Sequence, residues 1–104
     1  MKEIAKVNVL GTEYEILFNQ DLGTECAGQF DGTTKQIKIS KDMDYVGNYS
    51  VQQESSVRHE LIHAFLFESG LAFDSDWATN EEIVDWIALQ FPKLSKAFEE
   101  LRVI

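Results

Sequence analysis

The chain has 104 residues, 18 acidic against 9 basic, for a formal net charge of -9 with both histidines neutral. One domain over residues 1–104 is expected, because 44% hydrophobic and 12% aromatic residues can fill a single core and a chain of this size buries roughly two-thirds of its extended surface. The acid excess, with no run of lysine and arginine anywhere, argues against nucleic acid and anionic membrane surfaces as partners, since both need positive potential.

The amino-terminal MKEIAKVNVL interrupts its apolar residues with Glu3, Lys6 and Asn8. It has no signal-peptide core, and no later apolar run reaches the ~20 residues of a membrane span, so the cytoplasm is the expected compartment. Gly11 and Thr12 separate Val7 to Leu10 from a second strand, in which Tyr14, Ile16 and Phe18 recur with period two and so share one face. Residues 19–27 are polar and unpatterned and read as loop; Cys26, the only cysteine, has no partner for an intramolecular disulfide. Asp31-Gly32-Thr33-Thr34 is a turn signal between Phe30 and the alternating Ile37 and Ile39, which predicts a hairpin over 28–40. The amino-terminal part is thus expected to be a small antiparallel sheet.

After Ser40 the period changes. Ser50 with Gln53 is a capping-box pattern, and Val51, Val57, Leu61, Ile62, Phe65 and Leu66 hold helical spacing until Gly70, a natural stop. Thr79 with Glu82 predicts a second start, continued by Ile83, Val84, Trp86, Ile87 and Leu89 to Phe91. Pro92 is expected to open a third helix at its first turn, striped by Leu94, Ala97, Phe98 and Leu101. Trp77 and Trp86 are expected to pack in the core or beneath the interhelical loop.

The first of these helices carries His59-Glu60-Leu61-Ile62-His63, and these are the only two histidines of the chain. Residues four apart lie one above the other on a helix, so both imidazoles can reach one metal ion with Glu60 beside it. A zinc site of this kind needs a third protein ligand and an open position for water, which leaves an acidic residue or Cys26. The next helix offers Asn80-Glu81-Glu82-Ile83-Val84-Asp85. Adjacent helical positions point about 100° apart, so only one of Glu81 and Glu82 can face the first helix. Glu81 is favoured because Asp85 lies one turn beyond it, where its carboxylate can accept a hydrogen bond from the far ring nitrogen of a histidine, with His59 the expected donor.

The His59 to His63 motif with Asn80-Glu81 and Asp85 resembles the gluzincin-type zincin metallopeptidases, in which a glutamate on the following helix completes the site. Gly28-Gln29-Phe30-Asp31, then Ile37-Lys38-Ile39-Ser40 ahead of the metal helix, and Pro92 eleven residues after Glu81, are similar to the ImmA/IrrE-like and SprT-like minimal zincins. The resemblance implies an α+β minimal zincin fold: a small antiparallel sheet, the metal helix, a helix with the third ligand and a C-terminal helix. It also implies hydrolysis of peptide bonds in a cytoplasmic protein substrate, with Zn2+ on His59, His63 and Glu81 and with Glu60 as general base. The strand 36–40, at the sheet edge in related zincins, would pair with the substrate backbone. Compact zincins of this kind occur in phages and prophages, so a transcriptional regulator is an implied substrate. No histidine or tyrosine follows His63, so an oxyanion-stabilising group would have to come from Tyr14, Tyr45, Tyr49, Arg58 or the backbone. That gap motivates a second reading: an interaction module with structural zinc and little or no peptidase activity.

Overall fold

In a computed structural model, which describes residues 4–23, 26–41 and 49–104 (Tyr49 as backbone only), the alternating segments form a four-stranded sheet. Its strands are β1 (Ile4–Val9), β2 (Thr12–Gln20), β3 (Gly28–Asp31) and β4 (Gln36–Ser40), in the spatial order β1-β2-β4-β3. The hairpin joining β1 and β2 turns at Leu10 and Gly11, both at positive φ (51° and 94°), one residue earlier than expected. Two consecutive left-handed residues match the right-handed twist of the strands they join, and the Asn8 side chain accepts from the Gly11 amide at 2.9 Å to hold the turn. Thr12 is therefore the first residue of β2.

The sheet is mixed rather than antiparallel. β1 and β2 pair antiparallel, as do β3 and β4, but β4 lies parallel to β2, with Ile16 opposite Ile37. The physical reason is packing. After β2 the chain crosses to the outer edge to lay down β3 and returns as β4, which brings fully buried Ile37 and Ile39 beside Tyr14, Ile16 and Phe18. The edge is consequently β3, and β4, expected at the edge, is interior. A register shift between Leu17 and Gln20 takes up Asn19 at φ 61°, a left-handed residue tolerated by asparagine and typical of a bulge.

Helix α1 (Tyr49–Glu68) is apolar on two sides. Val57, Leu61 and Ala64 pack on the sheet, while Ile62 and Leu66 pack with Ala78 and Val84 in a second cluster. It starts before Ser50, which falls inside its first turn. At the other end Gly70, at φ 87°, lets the chain leave the helix and start the short α2 (Leu71–Asp74), followed by a 3₁₀ turn at Asp76–Thr79.

Helix α3 runs without interruption from Glu81 to Glu100. Its cap is Asn80, whose side chain accepts from the Ile83 amide at 3.0 Å, not Thr79, whose hydroxyl instead donates to the Asp76 carbonyl within the preceding turn. Pro92 is inside this helix rather than at the start of a new one. Proline has no N–H for the carbonyl four residues before it, so the carbonyl of the fully buried Ala88 loses its helical donor. A buried carbonyl left unpaired costs about 1–3 kcal/mol. Here the Arg58 Nε of α1 donates to it at 2.7 Å. Trp77 and Trp86, expected inside, are 44% and 62% exposed. Trp86 lies two residues from both Val84 and Ala88, the buried positions of α3, and therefore on the opposite face. The helix ends in a Schellman motif, Val103 N to the Phe98 carbonyl and Arg102 N to that of Glu99, both 3.0 Å, with Arg102 in the left-handed position at φ 57°. No helix is long and apolar enough to cross a membrane, among the described residues.

The last residue of α1 is tied to the sheet. Glu68 accepts from the Tyr14 hydroxyl at 2.7 Å, from Thr12 Oγ1 at 3.0 Å and from Lys35 Nζ at 2.8 Å. These bonds offset the repulsion between a carboxylate and a helix C-terminus. The Lys35 and Tyr14 hydrogen bonds hold the Glu68 carboxyl at about 2, below its ordinary 4.5. A depressed carboxyl contributes stability that is present above its unfolded value and is lost as pH falls through the folded one. Thermal unfolding followed by circular dichroism should therefore show Glu68→Gln less stable than wild type near neutrality, with the gap closing as pH falls from 4.5 towards 2; a gap independent of pH would show that the ionised carboxylate is not what anchors the helix.

Candidate metal centre

Two helices supply the site. His59 and His63 lie one turn apart on α1, with side chains 14% and 15% exposed. Glu81 is the first residue of α3, and its side chain is 72% exposed. Asn80 caps the helix directly before it, which fixes the direction in which the first turn starts and favours acidic side chains there.

The donor atoms converge. The Nε2 atoms of the histidines are 3.2 Å apart; Glu81 Oε2 is 3.1 Å from His59 Nε2, and Glu81 Oε1 is 2.6 Å from His63 Nε2. Behind the first ring, His59 Nδ1 is 3.3 Å from Asp85 Oδ1. A carboxylate only accepts, so Nδ1 carries the proton when this bond forms, and by the same rule Nε2 would carry one to bond Glu81; a neutral ring can serve only one of the two. With the proton on Nδ1, the His59 Nε2 lone pair faces a lone pair of Glu81. Protons on the imidazoles can relieve this crowding, and so can one cation. Atoms bound at about 2.0–2.1 Å to a tetrahedral ion would stand about 3.3 Å apart, close to the spacings between His59 and its two neighbours. His63, Glu81 and His59 are the one group of described residues whose ligand atoms could hold a metal ion together. Burial lowers the pKa of His63, which favours the neutral ring that a metal requires.

Glu60 is 9% exposed and sits between the histidines and the sheet edge. Its carboxyl is pushed up to about 7, first by burial and then by the charge of Glu81, against the opposing effect of His59. The close approach to β3 depends on Gly28: a Cβ there would stand 3.0 Å from Glu60 Cγ and 3.3 Å from the Lys38 carbonyl. A cleft of about 370 Å³ lies in front, bordered by Gly28, Phe30, Asp31, Lys38, His63 and Glu81. A second groove, about 270 Å³, continues on the His59 side past Ser55, Ser56 and Cys26.

The structure thus brings together His59, Glu60, His63, Glu81 and Asp85, and the i, i+4 relation that favoured Glu81 over Glu82 is the geometry of the cluster. Cys26 is at the rim, its Sγ donating to the Gly28 carbonyl at 3.2 Å. Two candidates for an oxyanion donor are engaged elsewhere, Tyr14 with Glu68 and Arg58 with Ala88. Tyr45 and the Tyr49 side chain lie outside the described residues. The sequence reading missed Gly28 as a site residue. Its only signal was a glycine opening a short strand, and the helix face it must admit is far away in sequence.

In the metal-free protein the Glu60 titration, followed by carbon-detected NMR of its carboxyl, should centre near 7. In Glu81→Gln it should move down while staying above the ordinary carboxylate range, because burial remains after the neighbouring charge is removed. A midpoint unmoved by Glu81→Gln would mean that the two carboxyls do not share this cleft. No protein-family model, curated protein or solved structure matches the chain.

Proposed function

We propose that the chain is a zinc-dependent metallopeptidase of the minimal zincin type, acting on peptide bonds of a protein substrate. The observation that carries this reading is the meeting of His59 Nε2, His63 Nε2 and the Glu81 carboxylate, from two helices, beside a buried Glu60 at the mouth of a cleft. Two imidazoles and one carboxylate suit zinc, and a site with three protein ligands keeps a position for water. Zinc held by His59, His63 and Glu81 would supply Lewis-acid activation of water and of the scissile carbonyl.

The chain's own groups would do the rest. Glu60 would take the proton of the attacking water and deliver it to the leaving amine, a role suited to a buried carboxyl at the cleft beside the histidines. Asp85 would hold the His59 ring in the tautomer that presents Nε2, and raise its basicity. The substrate backbone would lie extended along β3, whose outer side has no strand partner among the described residues and which borders the cleft. This moves the substrate-pairing role from β4 to β3.

The second reading, an interaction module with structural zinc, is favoured by one observation: Tyr14 and Arg58, two candidates to stabilise an oxyanion, are committed to Glu68 and Ala88. A main-chain donor or a residue outside those described would have to act instead.

Elemental analysis of wild type, His63→Ala and Glu81→Ala purified side by side should give near-stoichiometric zinc in the first and little in the other two. Glu60→Gln should keep its zinc and lose at least about a hundredfold in hydrolysis of an unstructured protein, the usual weight of a general base. Zinc retained with no hydrolysis by wild type would support the interaction module. No zinc in any sample, before or after addition, would remove both.

A further inference from the structure

We propose that Arg58 is a positioning residue for the metal centre: by replacing the hydrogen bond that Pro92 withholds, it fixes α3 against α1 where Glu81 and Asp85 meet the histidines. The inference rests on the metal-site reading above, and reaches a residue that touches neither a ligand atom nor the cleft.

Glu81, Asp85, Ala88 and Pro92 follow one another at intervals of four, three and four residues, so they form one stripe along α3. The first two members face the histidines, and the third is fully buried. The fourth is the proline that frees the third's carbonyl. Arg58 is the residue before His59 on α1, and its Nε reaches that carbonyl at 2.7 Å. The bond between the helices therefore sits about 10 Å along the axis from the start of α3, in line with both acidic side chains. Apolar contacts around it, among them Ile62 and Val84, are non-directional and tolerate a small slide of one helix along the other. A charged hydrogen bond to a buried carbonyl does not.

Pro92 turns this into a test. Replacing it with alanine returns an N–H to position 92, and the Ala88 carbonyl regains a donor within its own helix. That pairs the carbonyl but restores no bond between the helices, so it separates a lost tie to α1 from an unpaired carbonyl. Methionine is a suitable replacement for Arg58, because it retains an apolar stem in the groove with Leu61, Phe65, Ile87 and Phe91 and carries no donor.

Wild type, Arg58→Met, Pro92→Ala and the double variant would be compared in two ways: zinc affinity by competition with a chelator, and the His59 ring-nitrogen signals in the metal-free protein by nitrogen NMR of the imidazole. Arg58→Met is expected to bind zinc on the order of tenfold more weakly, as is common when an outer partner of a metal site is lost, and to show His59 ring-nitrogen signals shifted from those of wild type. Pro92→Ala, which keeps Arg58, should match wild type, and the double variant should stay as impaired as Arg58→Met in both properties although its Ala88 carbonyl is paired. Arg58→Met equal to wild type in both readouts, or a double variant that recovers both, would overturn the proposal, the latter by showing that Arg58 serves only to pair the carbonyl. If Arg58→Met does not fold, the double variant still decides: folded with an altered His59 signal supports the proposal, folded with the wild-type signal overturns it, and unfolded also overturns it, since Arg58 is then needed for folding rather than for positioning. Wild type that binds no zinc would remove the metal reading, while the His59 signals across the four proteins would still decide the role of Arg58.

Discussion

The structure depends on α1 being packed on two sides at once. One side seals the sheet through Val57, Leu61 and Ala64, and another receives the carboxyl-terminal elements through Ile62 and Leu66. The histidines lie between these two contacts, so they are neither lost in a core nor free in solvent. A helix packed on one side only could carry the same His59 to His63 motif, but nothing would bring a carboxylate to it. Val84 and Ala88 matter for the same reason: both are fully buried, and side chains of this size let the two helix axes approach until a short acidic side chain can span the gap.

Ionised and neutral carboxyls are distributed according to what surrounds them. Glu68 is surrounded by donors from Thr12, Tyr14 and Lys35 and stays charged, which secures the end of α1 to the sheet. Glu60, on the same helix, meets burial and a like charge, and is held close to the point where either state is accessible. The first arrangement is structural and the second suits proton transfer. Gly28 eases the second one, because a side chain there would press on the Glu60 carboxylate and the Lys38 carbonyl and make one of them give by a few tenths of an ångström.

The parts that sequence reading recovered depend on spacing along one element. Tyr14, Ile16 and Phe18 identify the buried face of β2 by period two, and the four-residue spacing of His59 and His63 places their rings side by side on α1. Glu81 came from the same logic, since an i, i+4 carboxylate pair is visible without coordinates. The parts it missed depend on partners distant in sequence. Alternation in β4 reports which face is buried and nothing about which neighbour it pairs with or in which direction, hence the antiparallel expectation. Pro92 reads locally as a helix start, and what permits it inside α3 is Arg58, on another helix. Thr79 and Asn80 are both good caps by type, and the fold uses the one whose side chain can reach the Ile83 amide.

The parallel joint between β2 and β4 has a kinetic side. The β1–β2 and β3–β4 hairpins are local and can close independently, each over a short loop, whereas joining them brings together strands separated by the whole of β3 and its flanking turns. Such non-local pairing carries the larger entropic barrier, and α1, which rests on residues of both hairpins, has no complete surface to dock on before it forms. The histidines of α1 consequently acquire their sheet-side environment only after the two halves of the sheet have met, so assembly of the centre is expected to lag behind hairpin formation during refolding.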